Sequence, residues 1–136
     1  MDRFVKNFII MSIVYLAVAS VLGIVMLAHP SVLHLKFVHS HLNMLGWVSM
    51  MIFGVGYHIL PRFAGRPVKS VKIGEAQFWL ANIGLVGMLL FYVLADSNPG
   101  VGLYIGLSAA FGALEALSIF LFFYNMLATL LPKPAA

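Results

Sequence analysis

The chain has 136 residues, of which 62% are hydrophobic and 9% are Asp, Glu, Lys or Arg. Water-soluble domains carry about 25% charge, so too few polar residues are present to cover a core in water, and a soluble domain is excluded. The net charge of +4 does not describe a nucleic-acid binder either: the basic residues stand at 3, 6, 36, 62, 66, 69, 72 and 133, mostly beside the ends of apolar runs, as membrane topology signals do.

Four stretches of about 20 or more apolar residues can each cross the hydrocarbon of a bilayer. The expected fold is all-α, a bundle of four transmembrane helices forming a single integral membrane domain over residues 1–136. The first helix is expected at about Asn7–Ala28, preceded by Arg3 and Lys6 and ended by His29-Pro30. It is long for the apolar region of a signal peptide and no small-x-small cleavage site closes it, so it reads as a retained helix. The second runs from Lys36 or Phe37 to Leu60 and stops at Pro61. The third spans about Val71–Leu94, closed after Ala95 by the turn Asp96-Ser97-Asn98-Pro99-Gly100. The fourth covers about Val101–Leu131 and ends at Pro132. Each boundary falls on a residue that cannot continue a helix or on a turn cluster. A membrane barrel would need segments of about ten residues with alternating polarity; these are apolar on every face and about twice as long.

Placing both termini in the cytoplasm puts Arg3, Lys6, Arg62, Arg66, Lys69, Lys72 and Lys133 on that side and only Lys36 on the other. Over loops this short the bias predicts an N-in, C-in topology, in the cytoplasmic membrane of a bacterium or archaeon. The loops are too short for a separate domain, so function belongs inside the helices, at their ends or in the His29–Lys36 connection. The first helix is the plainest, with packing as its expected role. Small residues recur in the last two: Gly84 and Gly87, then Gly102, Gly106 and Ala110. They suit close packing within the bundle, an oligomer interface or room beside a flat cofactor.

Histidine is the chain's main source of chemistry. His29, His34, His39 and His41 fall within thirteen residues at the non-cytoplasmic end of the first two helices. A step of two residues turns a helix by about 200°, so His39 and His41 point to nearly opposite sides and do not readily share one metal. Neutral imidazole offers a lone pair for iron and an N–H for an acceptor behind it, which is what a haem ligand requires. The alternative is interfacial histidines bonded to carbonyls or headgroups. His58 lies 17 residues beyond His41, about 25 Å along a helix, and belongs to the opposite face. A second haem, a quinone or proton contact, or anchoring beside Pro61 and Arg62 are its options. Trp47 and Tyr57 could stack on a cofactor ring or belong to interfacial aromatic belts.

Glu115 falls near the middle of the fourth helix, where an unpaired carboxylate costs a few kcal/mol. It is expected to be neutral or paired with Gln77, Asn82 or a histidine, acting as proton relay, hydrogen-bond partner to a cofactor ligand, or glue between helices. Glu75 is expected to pair with Lys72 at the surface. Cysteine is absent, which excludes disulfides, thiolate ligands and covalent c-type haem. His29 and His34 could hold copper or another metal at the surface. No phosphate-binding loop after a strand and no Ser-His-Asp arrangement can be assembled.

The run His39-Ser40-His41-Leu42-Asn43-Met44-Leu45-Gly46-Trp47, followed by Phe53-Gly54-Val55-Gly56-Tyr57-His58-Ile59-Leu60-Pro61-Arg62, resembles the tenth helix of the catalytic subunit of haem-copper oxidases. It is most similar in flavour to the cbb3-type oxidases and the nitric oxide reductases. Gln77-Phe78-Trp79-Leu80-Ala81-Asn82-Ile83-Gly84 resembles the helix that follows. The resemblance implies that His39 would bind a high-spin haem and His41 a low-spin haem; Asn43, Trp47 and Tyr57 are the other residues expected to bind the cofactor. The family's other low-spin haem ligand and its copper ligands come from helices without counterparts here, so a complete oxygen- or nitric-oxide-reducing site within these residues is not expected. Together these readings lead to a membrane protein with non-covalent haem b, used in electron transfer or diatomic gas binding. Its expected company is lipid, further copies of itself, or partner subunits of a respiratory complex. The alternatives are a cofactor-free accessory or assembly subunit of an oxidase and a copper-binding membrane protein.

Overall fold

Residues 2–131 are described by a computed structural model, so Pro132 and Lys133, used above as a helix stop and a topology charge, lie outside the described residues. Helix α1 spans Arg3–Ala28, beginning a turn before Asn7. Arg3 and Lys6 are good helix formers whose long stems can carry their charge to the headgroups, so the helix need not wait for the apolar run. The His29 N–H closes α1 on Val25 O at 2.8 Å, and Pro30 opens the next element.

Helix α2 is a continuous rod over Pro30–Phe63, and its winding changes along its length. It starts as a 3₁₀ turn at Pro30–Leu35, becomes α-helical over Lys36–His41, widens to a π-helical stretch at Leu42–Ser49 and returns to α-helix over Met50–Phe63. The expected stop at Pro61 is therefore one turn early. Proline forfeits a single N–H bond there, and a final turn tolerates that loss. Termination comes instead at Gly65, whose φ of +62° is the left-handed conformation glycine adopts without strain. Beside it, Arg66 N–H reaches back to Pro61 O at 3.0 Å.

Helix α3 covers Val71–Ser97 and is capped at its start by Ser70 Oγ, which accepts from Ile73 N–H at 3.3 Å. It outruns the expected end by three residues, and the Asn98 side chain donates to Leu94 O at 2.9 Å, covering an end carbonyl. Helix α4 covers Gly102–Leu130. All four rods are long and apolar enough to span a membrane, and no strand occurs among the described residues. The chain is an integral membrane protein with an all-α, four-helix fold.

Large apolar side chains such as Ile13, Ile24, Leu27, Phe120 and Leu103 face outward. Lipid is as apolar as leucine, so burying such groups between helices gains little, and close packing and hydrogen bonds must hold the bundle. Glycine allows the packing. A Cβ on Gly84 would stand 2.6 Å from the Glu115 backbone nitrogen, so α3 and α4 meet almost backbone to backbone, and Gly87 receives the Phe111 ring. A Cβ on Gly46 would stand 2.7 Å from the Tyr15 side chain, and one on Gly54 2.7 Å from Ile9, which docks α1 on α2. By contrast, Gly102 and Gly106 face open space, so the small residues of the last two helices divide between bundle packing and an outer surface. An aromatic cluster of Phe4, Phe8, Phe53, Tyr57, Phe78 and Phe122 fills the interior at the end where α1 begins and α4 ends.

Gly84→Ala should cost about 1–3 kcal/mol, the usual penalty of overpacking, read as a lower unfolding temperature in detergent. Gly106→Ala should leave that temperature unchanged or slightly raised, because alanine favours helix over glycine by about 1 kcal/mol. Equal losses in both variants would show that the α3–α4 contact is not what the glycine serves.

Candidate functional site

His39 and His41 stand on the last α-helical turn before α2 widens. The Ala19 and Gly23 positions of α1, one turn apart, make a notch that receives the His39 ring. Its Nδ1–H donates to Ala19 O at 3.1 Å, and a Cβ on Gly23 would lie 3.0 Å from its Cε1. Because a carbonyl can only accept, the other nitrogen carries the lone pair, and Nε2 stands 3.3 Å from the Asn43 amide nitrogen, which also donates to His39 O at 2.9 Å. Both nitrogens of His39 are thus engaged.

His41 faces elsewhere. Its Nδ1–H donates to Phe37 O at 2.8 Å, four residues back on the same helix, which leaves the Nε2 lone pair without a hydrogen bond to the described residues. The ring lies 3.9 Å from that of Phe37, which stacks at 4.1 Å on Tyr92 of α3. Beside His41 a shallow open cleft of about 170 Å³ is lined by Ser40, Met44 and Leu45. One histidine is wedged into the bundle, and its neighbour opens onto the bundle's surface.

The π-helical stretch after them was not legible in the sequence. Its wider turn suits Gly46, whose missing side chain admits Tyr15 of α1, and Ser49 Oγ donates to Met44 O five residues back at 2.8 Å. Such insertions recur at functional sites. Trp47 lies within it, half-buried.

The remaining candidates are not gathered around these two imidazoles. His29 is exposed, while His34 donates to Ser31 O at 3.0 Å and sits 3.9 Å from the Asp96 carboxylate, bringing the start of α2 to the end of α3. Among the described residues no three metal-ligating side chains cluster. At the opposite end, Arg62 donates to His58 Nε2 at 2.8 Å. Tyr57 is buried in the aromatic cluster; its hydroxyl donates to Gln77 Oε1 at 2.6 Å and accepts from Asn125 Nδ2 at 3.2 Å. Asn125 also donates to Ser70 O at 2.8 Å and accepts from Ser70 N–H at 3.0 Å, while Thr129 Oγ1 accepts from Lys69 N–H at 2.9 Å. Tyr57 and Gln77 therefore belong to a network that clamps the α2–α3 loop onto α4.

Of the two expectations for Glu115, neutral or paired, no pairing forms among the described residues. It is 2% exposed, and neither carboxyl oxygen has a hydrogen-bond partner among the described residues. Gln77 spends its oxygen on Tyr57 and leaves Nε2 unpaired, while Asn82 accepts from Tyr15 at 2.9 Å and donates to Phe78 O at 2.7 Å. The expected Lys72–Glu75 ion pair does not form; among the described residues the imidazole–carboxylate contact of His34 with Asp96 is the nearest to one.

The fold and this arrangement define a membrane-embedded helical protein that presents histidine nitrogens near one end of its bundle. Residues 3–95 match the family described as cytochrome c and quinol oxidase polypeptide I, and the chain belongs to that family. It is 43% identical over 49 residues to the cbb3-type cytochrome c oxidase subunit CcoN1 of Stutzerimonas stutzeri, a stretch covering 35% of this chain and 10% of that protein. It is 45% identical over 49 residues to cytochrome c oxidase subunit 1 of Rhodobacter capsulatus, covering 35% and 9%. A cytochrome c oxidase subunit 1 homolog of Agrobacterium tumefaciens (strain T37) is 39% identical over a stretch of the same length. The aligned stretch thus spans about a tenth of each relative, and α4 lies beyond the family match.

Tyr57→Phe should cost about 1–3 kcal/mol, because it strands Gln77 Oε1 and removes an acceptor from Asn125. Glu115→Met should instead stabilise the bundle by about 1–3 kcal/mol, since it replaces an unpaired buried carboxyl with an apolar chain of similar size. Unfolding in a fixed detergent measures both; a destabilised Glu115→Met would show that the carboxyl has a partner that matters.

Proposed function

We propose that this chain is a membrane b-type haem-binding protein of the oxidase family, with His41 supplying an axial nitrogen near the non-cytoplasmic face, and that it serves in electron transfer or diatomic gas binding. The observation that carries this reading is the state of the His41 ring: Nδ1–H is tied to a backbone carbonyl, while Nε2 has no hydrogen bond and stands beside an open cleft. A carbonyl behind Nδ1 fixes the tautomer, orients the ring and raises the basicity of Nε2, as it does for metal-bound imidazoles generally. Bound haem would supply reversible one-electron chemistry or a coordination position for a small gas. Met44 and Leu45 would keep water from the bond, and without cysteine the attachment is non-covalent.

His39 suits the second position less well, because its Nε2 would first have to give up Asn43 and leave the notch at Gly23. The cleft at His41 is too small to enclose a porphyrin, which supports a ring shared with another chain, either a second copy or a partner subunit. A surface copper site at His29 and His34 has less support, since both are exposed and His34 is spent on Ser31 and Asp96. One observation favours a cofactor-free accessory subunit: both ring nitrogens of His39 are already engaged, by Ala19 O and by Asn43.

An absorption spectrum of the purified protein, as isolated and after addition of hemin, separates these readings. A Soret band with sharp reduced α bands is expected, lost in His41→Ala and retained in His39→Ala. No visible band under either condition would leave the accessory reading; loss only in His39→Ala would reverse the ligand assignment.

A further inference from the structure

A second concave site lies at the other end of the bundle, where α2 leaves through Pro61 and turns at Gly65. This cavity of about 530 Å³ has Tyr57 at its buried side and Val5, Val68 and Val71 among its walls, with His58, Arg62 and Arg66 at its rim. The left-handed turn at Gly65 brings Arg62 and Arg66 to the same opening. Each guanidinium is anchored through one nitrogen: Arg62 donates to His58 Nε2 at 2.8 Å and Arg66 to Leu131 O at 3.0 Å. An arginine has five N–H donors in a planar fork, so most of each fork remains for something else. Neither arginine forms an ion pair with a carboxylate of the described residues, although Asp2 also lines the cavity.

Topology alone requires positive charge at this end, but it does not require that charge to be held in place. Lys69 and Lys72 meet the topological need, and Arg62 and Arg66, exposed as well, differ in that each guanidinium is held by a hydrogen bond. Arg62 is instead drawn back along its own helix onto His58, which sets the guanidinium in the wall of a cavity whose deeper lining is apolar. Two fixed forks above an apolar wall match an anion that carries a hydrocarbon chain. From this geometry we propose that the cavity binds an anionic phospholipid, its phosphate between Arg62 and Arg66 and an acyl chain against Val5 and Val71. Basic pockets between helices on the cytoplasmic side select such headgroups through the same combination of charge and shape. His58 is then a positioning residue that aims Arg62, and the site is independent of any haem.

The test is thermal unfolding and native mass spectrometry of the full chain in neutral detergent, with phosphatidylglycerol, phosphatidylcholine or inorganic phosphate added separately. Phosphatidylglycerol should raise the unfolding temperature and remain bound, and the other two should do neither. Arg62→Gln and Arg66→Gln should each weaken phosphatidylglycerol binding about tenfold, the size of one lost charge-assisted contact. His58→Ala should weaken it less, with lipid-free stability retained. Equal effects of phosphatidylcholine would reduce the site to a general lipid annulus, and equal effects of inorganic phosphate would make it a free-anion site. Unchanged phosphatidylglycerol binding in both arginine variants, at unaltered helicity, would overturn the proposal.

Discussion

The structure depends first on a constraint set by the solvent: inside a bilayer no water is available to satisfy a polar group, and apolar contact between helices is no better than contact with lipid. Helices must therefore be held by close backbone approach and by side-chain hydrogen bonds. Gly84 brings α3 against the Glu115 backbone, and Gly46 and Gly54 admit Tyr15 and Ile9 of α1. The hydrogen bonds gather at Asn125, a single side chain that serves Tyr57 and both backbone groups of Ser70. Ser70 is also the cap of α3. One amide thus joins the start of α3, the core of α2 and the end of α4, and each partner leaves the others unsatisfied if it is lost.

The same constraint sharpens the contrast between the two histidines. A ring nitrogen buried among helices must find a partner, and both Nδ1 atoms find backbone carbonyls. His39 satisfies its second nitrogen with Asn43 inside the bundle, whereas His41 leaves its own at a surface cleft. The difference comes from the 200° or so that separates adjacent-but-one positions of a helix. One imidazole turns to the notch on α1, and the other to Phe37 and the ring of Tyr92. Of the two, His41 keeps a donor atom for something outside this chain.

Much of the fold was legible because it rests on length and apolarity, which a sequence displays directly. Four spans follow from composition, and two of their boundaries follow from Pro30 and the Asp96–Gly100 turn. The π-helical stretch was hidden because no residue type marks a change of winding, and Tyr15, which packs on Gly46 within it, lies 31 residues earlier. Continuation of α2 through Pro61 was hidden because a proline rule states a cost and the surroundings decide whether it is borne. For the site, the separation of His39 and His41 could be read from helical geometry alone. That Tyr57 and Gln77 serve Asn125 rather than a cofactor could not, since it requires knowing which helices are neighbours. Of the two states expected for Glu115, the paired one does not form: Asn82 is taken by Tyr15 and Phe78 O, and Gln77 Nε2, itself unpaired, does not reach the carboxyl.

Membership of the oxidase family, combined with coverage of about a tenth of each relative, bears on where a haem could sit. In these four spans, the space that would be enclosed beside His39 is already filled by α1, whose Ala19 and Gly23 accept the imidazole itself. The donor that remains, His41 Nε2, opens outward beside Met44 and Leu45. A ring bound there would have one face on this bundle and the other exposed to lipid, which cannot coordinate iron and cannot hydrogen-bond the ring's carboxylates. Under the haem reading proposed above, completing such a site would take a second protein surface, and a symmetry-related copy presenting the same His41 from the opposite side would supply one. On that reading the cofactor would also be the strongest contact between subunits, and assembly and haem binding would be one equilibrium.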